Sequence, residues 1–232
     1  MVTNPGKNEF ISVDGQRYLR LPIKTHLITP ADDMAEVAEK YVKPLAQRND
    51  LLFVSEKALC ASQGRTIPID QIKPSRLARF LLKFVHKSKY GIGIASPWTM
   101  EIAIREAGVA RILLAAVASA LTKPFGAKGV FYIVAGHGID TIDGPADYVI
   151  PPYNKCAKLP PLDPESAAKR IKEKTGLETA VVDANDLGLK VLGKSSPEIN
   201  NDFCQKVFKD NPIGQSREQT PFCLIREVEE NG

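Results

Sequence analysis

Cysteine is scarce in this chain, and its spacing excludes two common kinds of cysteine-dependent protein. The cysteines lie far apart and form no CxxC pair, at Cys60, Cys156, Cys204 and Cys223. A zinc ribbon needs closely spaced thiolate pairs, and a disulfide framework needs a short, cysteine-dense chain. We therefore predict four reduced cysteines that serve as packing residues.

Long apolar runs are also missing. No stretch approaches the roughly 20 apolar residues that a membrane-spanning helix requires. The first six residues, MVTNPG, lack the basic and then apolar pattern of a secretory signal peptide. From these two absences we expect a cytoplasmic protein without a membrane partner.

The common nucleotide-binding and nucleic-acid-binding patterns are absent as well. Neither GxGxxG nor GxxxxGK[ST] occurs, which argues against a Rossmann or P-loop site. The net charge of +4 is small, and the basic residues do not alternate with aromatic ones as they do on a nucleic-acid platform. We predict no nucleic-acid partner, whereas a small anionic ligand is compatible with this charge. The absence of internal repeats excludes solenoid architectures.

What is present is typical of a globular α+β protein. The 232 residues are 44% apolar and 25% charged. Their periodicity and capping residues predict several elements, but strands and helices do not alternate as in a doubly wound sheet. The predicted helices cover residues 30–42, 75–86, 98–108, 109–121, 163–175 and 198–208, and the fourth is predicted to be buried. The predicted strands cover residues 51–55, 130–134, 179–182 and 222–226, and residues 151–161 are predicted to form an irregular loop.

Two pairs of acidic residues at glycine-flanked turns are the most informative local feature. Asp140 and Asp143 follow the apolar run 130–134, and Asp183 and Asp186 follow the run 179–182. Carboxylates held at strand ends suit Mg²⁺ or Mn²⁺ and the phosphate oxygens that these ions bind. Aspartate and glycine are also ordinary turn residues, so turn formation is the alternative interpretation of each pair.

Five short motifs occur in an order that resembles the coenzyme F420-0:gamma-glutamyl ligase family. They are THLITPADDM at residues 25–34, LLFVSEK at 51–57 with QGR at 63–65, GID at 138–140, LPPLDPESA at 159–167, and the Val182-Asp183 strand end. The similarity extends over roughly residues 22–226. Its specificity lies in the order of the motifs, because each one is short.

The resemblance implies an enzyme of coenzyme F420 biosynthesis with an α+β fold and an intertwined homodimer. Residues 1–232 would form a single ligase-like unit, in which any second subdomain comes mainly from residues 65–125. The implied reaction is GTP-dependent and requires Mg²⁺ or Mn²⁺. It activates a small-molecule carboxylate as an acyl phosphate and joins it to the amine of L-glutamate.

The resemblance also implies roles for individual residues. Asp140 and Asp183 would be catalytic metal ligands. Asp186, and Glu218 in the polar loop 210–220, are this chain's own candidates for completing the metal site. The catalytic Lys57 would neutralise phosphate charge, as phosphoryl transfer requires. The remaining nucleotide contacts would be Thr25, His26, Leu27, Ile28, Glu56, Asp143 and Gln215. Several cations could equally bind glutamate, namely Arg65, Arg76, Lys155 and Arg217.

Two departures from the family pattern keep other functions open. Ala61 stands where the family commonly has a second lysine, and Ala184 replaces a hydroxyl residue. One alternative is a metal-dependent phosphoester hydrolase that activates water with the same carboxylates. Another is a non-catalytic relative that binds a nucleotide. We interpret His26 and His137 as hydrogen-bonding structural residues, and His86 as a favourable charge at a helix end.

Overall fold

The computed structural model describes residues 3–85, 93–185 and 188–228, which group into two compact units. We call Met1–Gly64 with Pro161–Gly232 the sheet unit, and Arg65–Pro160 the helical unit. The predicted α+β class is confirmed. Whether the two units act together as one ligase stays a prediction. No helix in the described ranges is both long enough and apolar enough to cross a membrane.

The described residues contain short strands and helices joined by 3₁₀ turns. The strands are β1 Phe10–Val13, β2 Gln16–Ile23, β3 Leu51–Ser55, β4 Thr66–Pro68, β5 Cys156–Lys158, β6 Glu178–Asn185, β7 Gly188–Lys194 and β8 Phe222–Val228. The helices are α1 Met34–Tyr41, α2 Glu56–Ser62, α3 Arg76–Leu81, α4 Pro97–Ala107, α5 Val109–Thr122, α6 Val130–Ala135, α7 Pro164–Thr175 and α8 Asn201–Val207.

The sheet unit is built on a six-stranded sheet in the order β1-β2-β8-β3-β6-β7. Among the described strands only β3 and β6 are parallel neighbours, so the sheet is mixed. Leu52, Phe53 and Val54 of β3 are fully buried, which means that both faces of this central strand are covered. On one face Phe53 stacks on Phe208, with 4.4 Å between the ring centroids.

Helices α1 and α7 contact each other, and α7 also contacts β6 and β7. Helix α7 begins as predicted, because the Asp163 carboxylate accepts the Ser166 amide at 3.0 Å and Pro164 occupies the first helical position. Helix α1 begins at Met34 rather than Pro30. The Asp33 side chain accepts the Ala35 amide at 2.8 Å and thereby sets that boundary.

The helical unit packs short helices around its own core, beside the antiparallel pair β4–β5. Helix α4 begins with a capping box in which Ser96 and Thr99 each bond the backbone of the other. Helix α3 begins at the predicted cap, because the Ser75 hydroxyl accepts the Ala78 amide at 3.1 Å. The α-helix ends at Leu81 and the 3₁₀ turn Leu82–Phe84 follows it, so the helix is shorter than predicted. The predicted end itself, His86, lies outside the described residues.

Three predictions about the helical unit are wrong. Residues 130–134 form helix α6 rather than a strand, because Phe131 and Val134 pack into the core while α6 contacts α5. Helix α5 exists, but only Ile112 and Ala115 of it are buried, so its predicted complete burial is contradicted. Strand β5 interrupts the predicted irregular loop at 151–161.

The prediction of reduced cysteines is confirmed, because all four are free and buried. Burial raises the pKa of the Cys204 thiol to about 11, so it stays protonated at neutral pH. Burial also raises the pKa of the Cys156 and Cys223 thiols, so none of these three cysteines is poised as a thiolate by its surroundings.

Candidate functional site

The predicted nucleotide-site residues of the sheet unit gather at one end of its sheet. Ser55 lies opposite Val182 in the parallel pair, and Phe222 lies opposite both Val54 and Ile23. The chain therefore leaves β2 and β3 at the same end at which it enters β8. The segment 24–28, the start of α2, Asp183 and the loop 210–221 all lie there. In open α/β sheets, ligands bind outside the carboxyl ends of such strands.

Glu56 and Lys57 open helix α2, which the sequence did not predict. The Ser55 amide donates to the Pro221 carbonyl at 2.8 Å, so the start of the helix is tied to the loop 210–221. Glu56 is only 1% exposed, whereas Lys57 is half-buried. A half-buried lysine at this sheet end suits phosphate binding as a point charge.

The turn from Thr25 to Ile28 is fixed by both its backbone and its side chains. The Thr25 amide donates to the Gln219 carbonyl at 3.0 Å, and Thr25 and Ile28 are buried. His26 is exposed, as its place in the turn allows.

His26 has two partners that its spacing in the sequence did not reveal. Its Nε2 lies 2.8 Å from Asp32 Oδ1 and its Nδ1 lies 3.0 Å from the Tyr41 hydroxyl. The hydrogen bond with His26 is the main reason why the pKa of the Asp32 carboxyl is below its ordinary value. Asp32 also accepts the Thr29 amide at 2.8 Å, so this carboxylate holds the whole turn.

The polar loop 210–220 is anchored at both ends. At its start, Asp210 forms a two-pronged ion pair with the Arg20 guanidinium, which is 1% exposed. Burial would raise the pKa of the Asp210 carboxyl, but the Arg20 hydrogen bonds and charge hold it below the ordinary value. At its end, Thr220 accepts from Asn4 Nδ2 at 2.8 Å and donates to the Ile213 carbonyl at 2.7 Å.

Within this loop, Glu218 folds back over Gly214. The Glu218 carboxylate accepts the Ser216 amide at 2.7 Å. Gly214 has φ +71°, and a Cβ there would lie 2.5 Å from the Glu218 carboxyl carbon. The positive φ and this close approach both favour glycine at position 214. Gln215, the predicted nucleotide contact, lies between them in the same loop.

Asn211 connects the loop to the strand that carries Asp183. Its Nδ2 donates to the Ala184 carbonyl at 3.3 Å and to the Gly214 carbonyl at 2.9 Å. Its Oδ1 is buried without a hydrogen-bond partner in the part of the chain that the structure describes. Asp183 itself lies inside β6, opposite Lys190 in β7, and not at the strand end that the sequence predicted.

These donors do not by themselves make a complete metal site. Asp183 and Glu218 offer the hard oxygen ligands that Mg²⁺ or Mn²⁺ prefers. Within residues 3–85, 93–185 and 188–228, however, no three histidine, cysteine or acidic side chains come together around a common point. Asp186, the third predicted ligand of this region, lies outside the described residues.

Asp140 and Asp143 belong to the helical unit, in a setting that differs from the predicted strand end. Asp140 is exposed in the 3₁₀ turn Ile139–Thr141, which follows helix α6. The Asp143 amide donates to the Lys158 carbonyl at 3.2 Å, and the Lys158 amide donates to the Asp143 carbonyl at 2.9 Å. Burial raises the pKa of the Tyr132 hydroxyl, and the charge of Asp140 adds to that shift.

Two of the motifs meet within the helical unit. Gly138 has φ +67°, and a Cβ there would lie 2.9 Å from the Pro160 ring, so the 138–140 turn packs directly on the proline motif. Arg65 donates to the Pro160 carbonyl at 2.8 Å and pairs with Glu106 at 2.6 Å. Arg65, one of the candidate glutamate-binding cations, is thus already engaged in holding this turn.

The same proline motif is held in the sheet unit by Gln63. Its side-chain amide donates to the Leu162 carbonyl and accepts the Leu162 amide, both at 2.7 Å. The QGR and LPPLDPESA motifs therefore occur together for a structural reason. Each fixes the course of the other's backbone.

Comparison with known proteins gives the same family as the motifs. The family described as F420-0:Gamma-glutamyl ligase matches residues 22–186 of the chain. The chain is also 24% identical over 159 residues to the coenzyme F420:L-glutamate ligase of Methanopyrus kandleri. That match covers 67% of this chain and 54% of the relative, so the chain spans about half of the relative's length. Because the family match covers most of its residues, the chain belongs to the F420-0:gamma-glutamyl ligase family.

Proposed function

We propose that the protein is a nucleotide-dependent amide ligase that joins a small-molecule carboxylate to the amine of L-glutamate. The observation that carries this proposal is the meeting of four separate segments at one end of the mixed sheet. They are the turn 25–28, the start of α2, the Asp183 segment and the loop 210–221. This arrangement suits a phosphate-bearing ligand, and the ligase family supplies the reaction.

The reaction would proceed in two balanced steps. A substrate carboxylate oxygen attacks the γ-phosphorus of GTP, which forms an acyl phosphate and releases GDP. The glutamate amine then attacks the acyl carbon, the amide bond forms, and phosphate leaves while the amine loses a proton. Lys57 would neutralise charge on the transferred phosphoryl group, since positioning and charge account for most catalysis of such transfers.

The fixed loop 210–221 would position the nucleotide. Its anchors, Arg20 with Asp210 and Asn4 with Thr220, hold the backbone without a ligand. A preorganised site loses less conformational entropy on binding. Glu218 and Gln215 would then face the ligand from a backbone that moves little.

Mg²⁺ or Mn²⁺ enters the proposal through the family alone. When bound, such an ion would neutralise phosphate charge in addition to Lys57. Asp183 and Glu218 in the sheet unit, and Asp140 in the helical unit, are the residues to test. A homodimer is likewise proposed from the resemblance, and sedimentation velocity of the purified protein measures it.

The test is calorimetric titration of GTP, with ATP for comparison, in the presence and absence of Mn²⁺. It is run on the unaltered protein and on the Lys57→Gln, Asp183→Asn and Asp140→Asn variants. Asp202→Asn is the matched control, because Asp202 is an exposed carboxylate on α8 that pairs with the surface lysine Lys206. Phosphate release is then measured with and without L-glutamate.

Each result selects one function. Nucleotide binding that Lys57→Gln and Asp183→Asn weaken, with phosphate release that requires L-glutamate and a carboxylate, supports the ligase. The Asp140→Asn variant tests separately whether that residue of the helical unit contributes. Phosphate release from phosphoesters without an amino acid supports the hydrolase instead. Binding without any turnover supports a non-catalytic relative. If no nucleotide binds under any condition, the nucleotide site at this end of the sheet is wrong.

A further inference from the structure

Asn211 lies at the start of the loop 210–221 and is buried inside the sheet unit. It is 0% exposed, and its backbone has φ +50°, a conformation in which asparagine and glycine are favoured over other residues. Its amide donates to the Phe208 carbonyl at 2.9 Å, and its carbonyl accepts the Gly214 amide at 3.0 Å. The backbone therefore fixes the position of Asn211 on both sides.

One nitrogen atom of this side chain contacts both segments that the proposed site combines. Asn211 Nδ2 donates to the Ala184 carbonyl at 3.3 Å and to the Gly214 carbonyl at 2.9 Å. Ala184 follows Asp183 in β6, and Gly214 is the residue over which Glu218 folds. A planar amide group that donates two hydrogen bonds holds its two acceptors at a nearly fixed separation. Asn211 thus fixes the spacing between the Asp183 segment and the loop.

The oxygen atom of the same side chain makes asparagine costly at this position. Oδ1 is buried and accepts no hydrogen bond from the residues that the structure describes. A buried acceptor without a donor destabilises the folded state by about as much as two ordinary hydrogen bonds stabilise it. The two bonds of Nδ2 are therefore largely offset in the free energy of unfolding. What the side chain adds is a fixed geometry between two segments.

We propose that Asn211 is a positioning residue of the nucleotide site, an inference that rests on the proposed function above. Its Nδ2 group keeps the Asp183 segment and the Gln215–Glu218 part of the loop at the separation that the nucleotide phosphates require. Without this group the two segments move independently, and a nucleotide must order them as it binds. The nucleotide affinity therefore depends on a buried residue that acts through the two segments it joins.

Two substitutions remove the Nδ2 donor in different ways. Asn211→Gly deletes the side chain and still allows the positive φ. Asn211→Asp keeps the shape of the side chain but directs an oxygen atom at both carbonyl groups. In calorimetric titration with Mn²⁺ present, we expect the dissociation constant of GTP to rise about tenfold for Asn211→Gly. It should rise further for Asn211→Asp, because the carboxylate repels the two carbonyl oxygens.

Kinetic constants separate positioning from a general loss of structure. In the ligase assay, the KM for GTP should rise in both Asn211 variants, whereas the KM for L-glutamate should stay unchanged. A merely structural role would reduce the amount of active enzyme and would leave both KM values as they are.

Two matched controls come from the same unit. Asn49→Gly is the same substitution at a residue with φ +71°, in the exposed turn before β3 and at the opposite end of that strand from the proposed site. Asn200→Ala removes an asparagine that caps α8 by accepting the Asp202 amide at 2.8 Å, so it lowers stability from outside the loop 210–221. Both controls should bind GTP as the unaltered protein does.

Hydrogen–deuterium exchange tests the same coupling, first on the unaltered protein. GTP should slow amide exchange in the segment 180–185 and in the loop 210–221 together, because Asn211 joins them. In the ligand-free Asn211→Gly variant, exchange should be faster in both segments than in Asn49→Gly.

Three results would overturn the proposal. The first is a folded Asn211→Gly variant that binds GTP as tightly as Asn49→Gly does. The second is an Asn211→Asp variant that binds as the unaltered protein does, because the Nδ2 donor would then be dispensable. The third is protection by GTP of only one of the two segments, which decides the question even if neither Asn211 variant folds.

Failure of the proposed function gives a different pattern. The unaltered protein then binds no nucleotide, although exchange still rises in both segments of Asn211→Gly. In that case both proposals fall, because the coupled segments have no nucleotide to position.

Discussion

The two units differ most in what they place on their surfaces. Among the described residues, the sheet unit exposes Phe10 and Leu162 as its large apolar side chains, whereas the helical unit exposes many, from Phe80 to Tyr148. Ion pairs show the opposite distribution. Those of the helical unit include Arg65–Glu106 and Arg105–Glu101, and those of the sheet unit include pairs that join α1 to α7, α7 to β6, and β2 to the loop 210–220.

The two units therefore differ both in how their apolar side chains are buried and in what their surfaces offer to a ligand. The sheet unit has a covered sheet, a charged exterior and a preorganised end where the nucleotide site is proposed. The helical unit has a core of its own but an apolar exterior that water does not favour. Among the described residues, large apolar side chains are therefore often exposed in the helical unit and mostly buried in the sheet unit, and mutations should report that difference.

The largest effect is expected from Phe53→Ala at the centre of β3. Phe53 is fully buried and stacks on Phe208, so the cavity should cost about 3–5 kcal/mol in the free energy of unfolding. Phe125→Ala, in the helical unit, should change it by less than about 0.5 kcal/mol. Urea denaturation followed by circular dichroism measures both. Equal costs at the two positions would contradict the contrast between the units.

A somewhat smaller loss is expected from Asp210→Asn. The change leaves the Arg20 guanidinium buried without its counter-charge, which should cost about 3 kcal/mol. It should also weaken nucleotide binding, because the loop 210–220 loses its first anchor. The Asp202→Asn change, at an exposed ion pair, should cost no more than about 1 kcal/mol. If Asp210→Asn leaves the nucleotide affinity unchanged, the loop 210–220 does not contribute to nucleotide binding.

Acid should affect the sheet unit before the helical unit. The sheet unit contains at least four carboxyl groups whose pKa is below the ordinary value, namely Asp32, Asp33, Glu178 and Asp210. In the helical unit, Glu101 has a lowered pKa. A lowered pKa stabilises the folded state above the unfolded-state value of about 4, and this contribution is lost as pH falls through the folded-state pKa.

The two units can be followed separately during that titration. The one tryptophan in the sequence, Trp98, packs on the helical core, so its fluorescence monitors that unit. The amide signal of Phe53 in NMR spectra monitors the sheet. We expect the Phe53 signal to be lost at a higher pH than the native Trp98 fluorescence. Loss of the Trp98 fluorescence first would contradict the prediction.

The smallest expected change concerns a helix cap in the helical unit. Ser96→Ala removes the side chain that accepts the Thr99 amide at 3.1 Å, at a cost of about 1 kcal/mol. The midpoint of the urea transition, followed by Trp98 fluorescence, should therefore move to a lower urea concentration. Ser216→Ala, on the loop of the sheet unit, should leave it in place, because only the backbone of Ser216 is bonded to Glu218.

Elements with local determinants were predictable from the sequence, and those set by distant contacts were not. Helix α7 has its aspartate cap and first-turn proline, and β3 is a short apolar run after a turn. The run 130–134 could pack as a strand or as a helix, and contact with α5 decided the outcome. Helix α2 and strand β7 carry no such local pattern and were missed.

The candidate site shows the same division. The sequence predicted Lys57 just after β3 and Asp183 just after the run 179–182. The parallel pairing places Ser55 opposite Val182, so the two predicted residues follow directly on paired positions, although Asp183 is still part of β6. The anchors of the loop 210–220 could not be foreseen, because Arg20 and Asp210 are separated by 190 positions. The partners of His26 lie closer to it in the sequence. Asp32 is only six positions away, so its contact with His26 could have been predicted.

The position of β8 has a consequence for synthesis of the protein on the ribosome. This last strand lies between β2 and β3, and it carries hydrogen bonds to both. Until it emerges, the two earlier strands have exposed edges that could pair with other nascent chains. The helical unit is one continuous segment and requires no residue from the end of the chain for its own core. We therefore expect it to fold first, while the proposed nucleotide site waits until β8 has been synthesised.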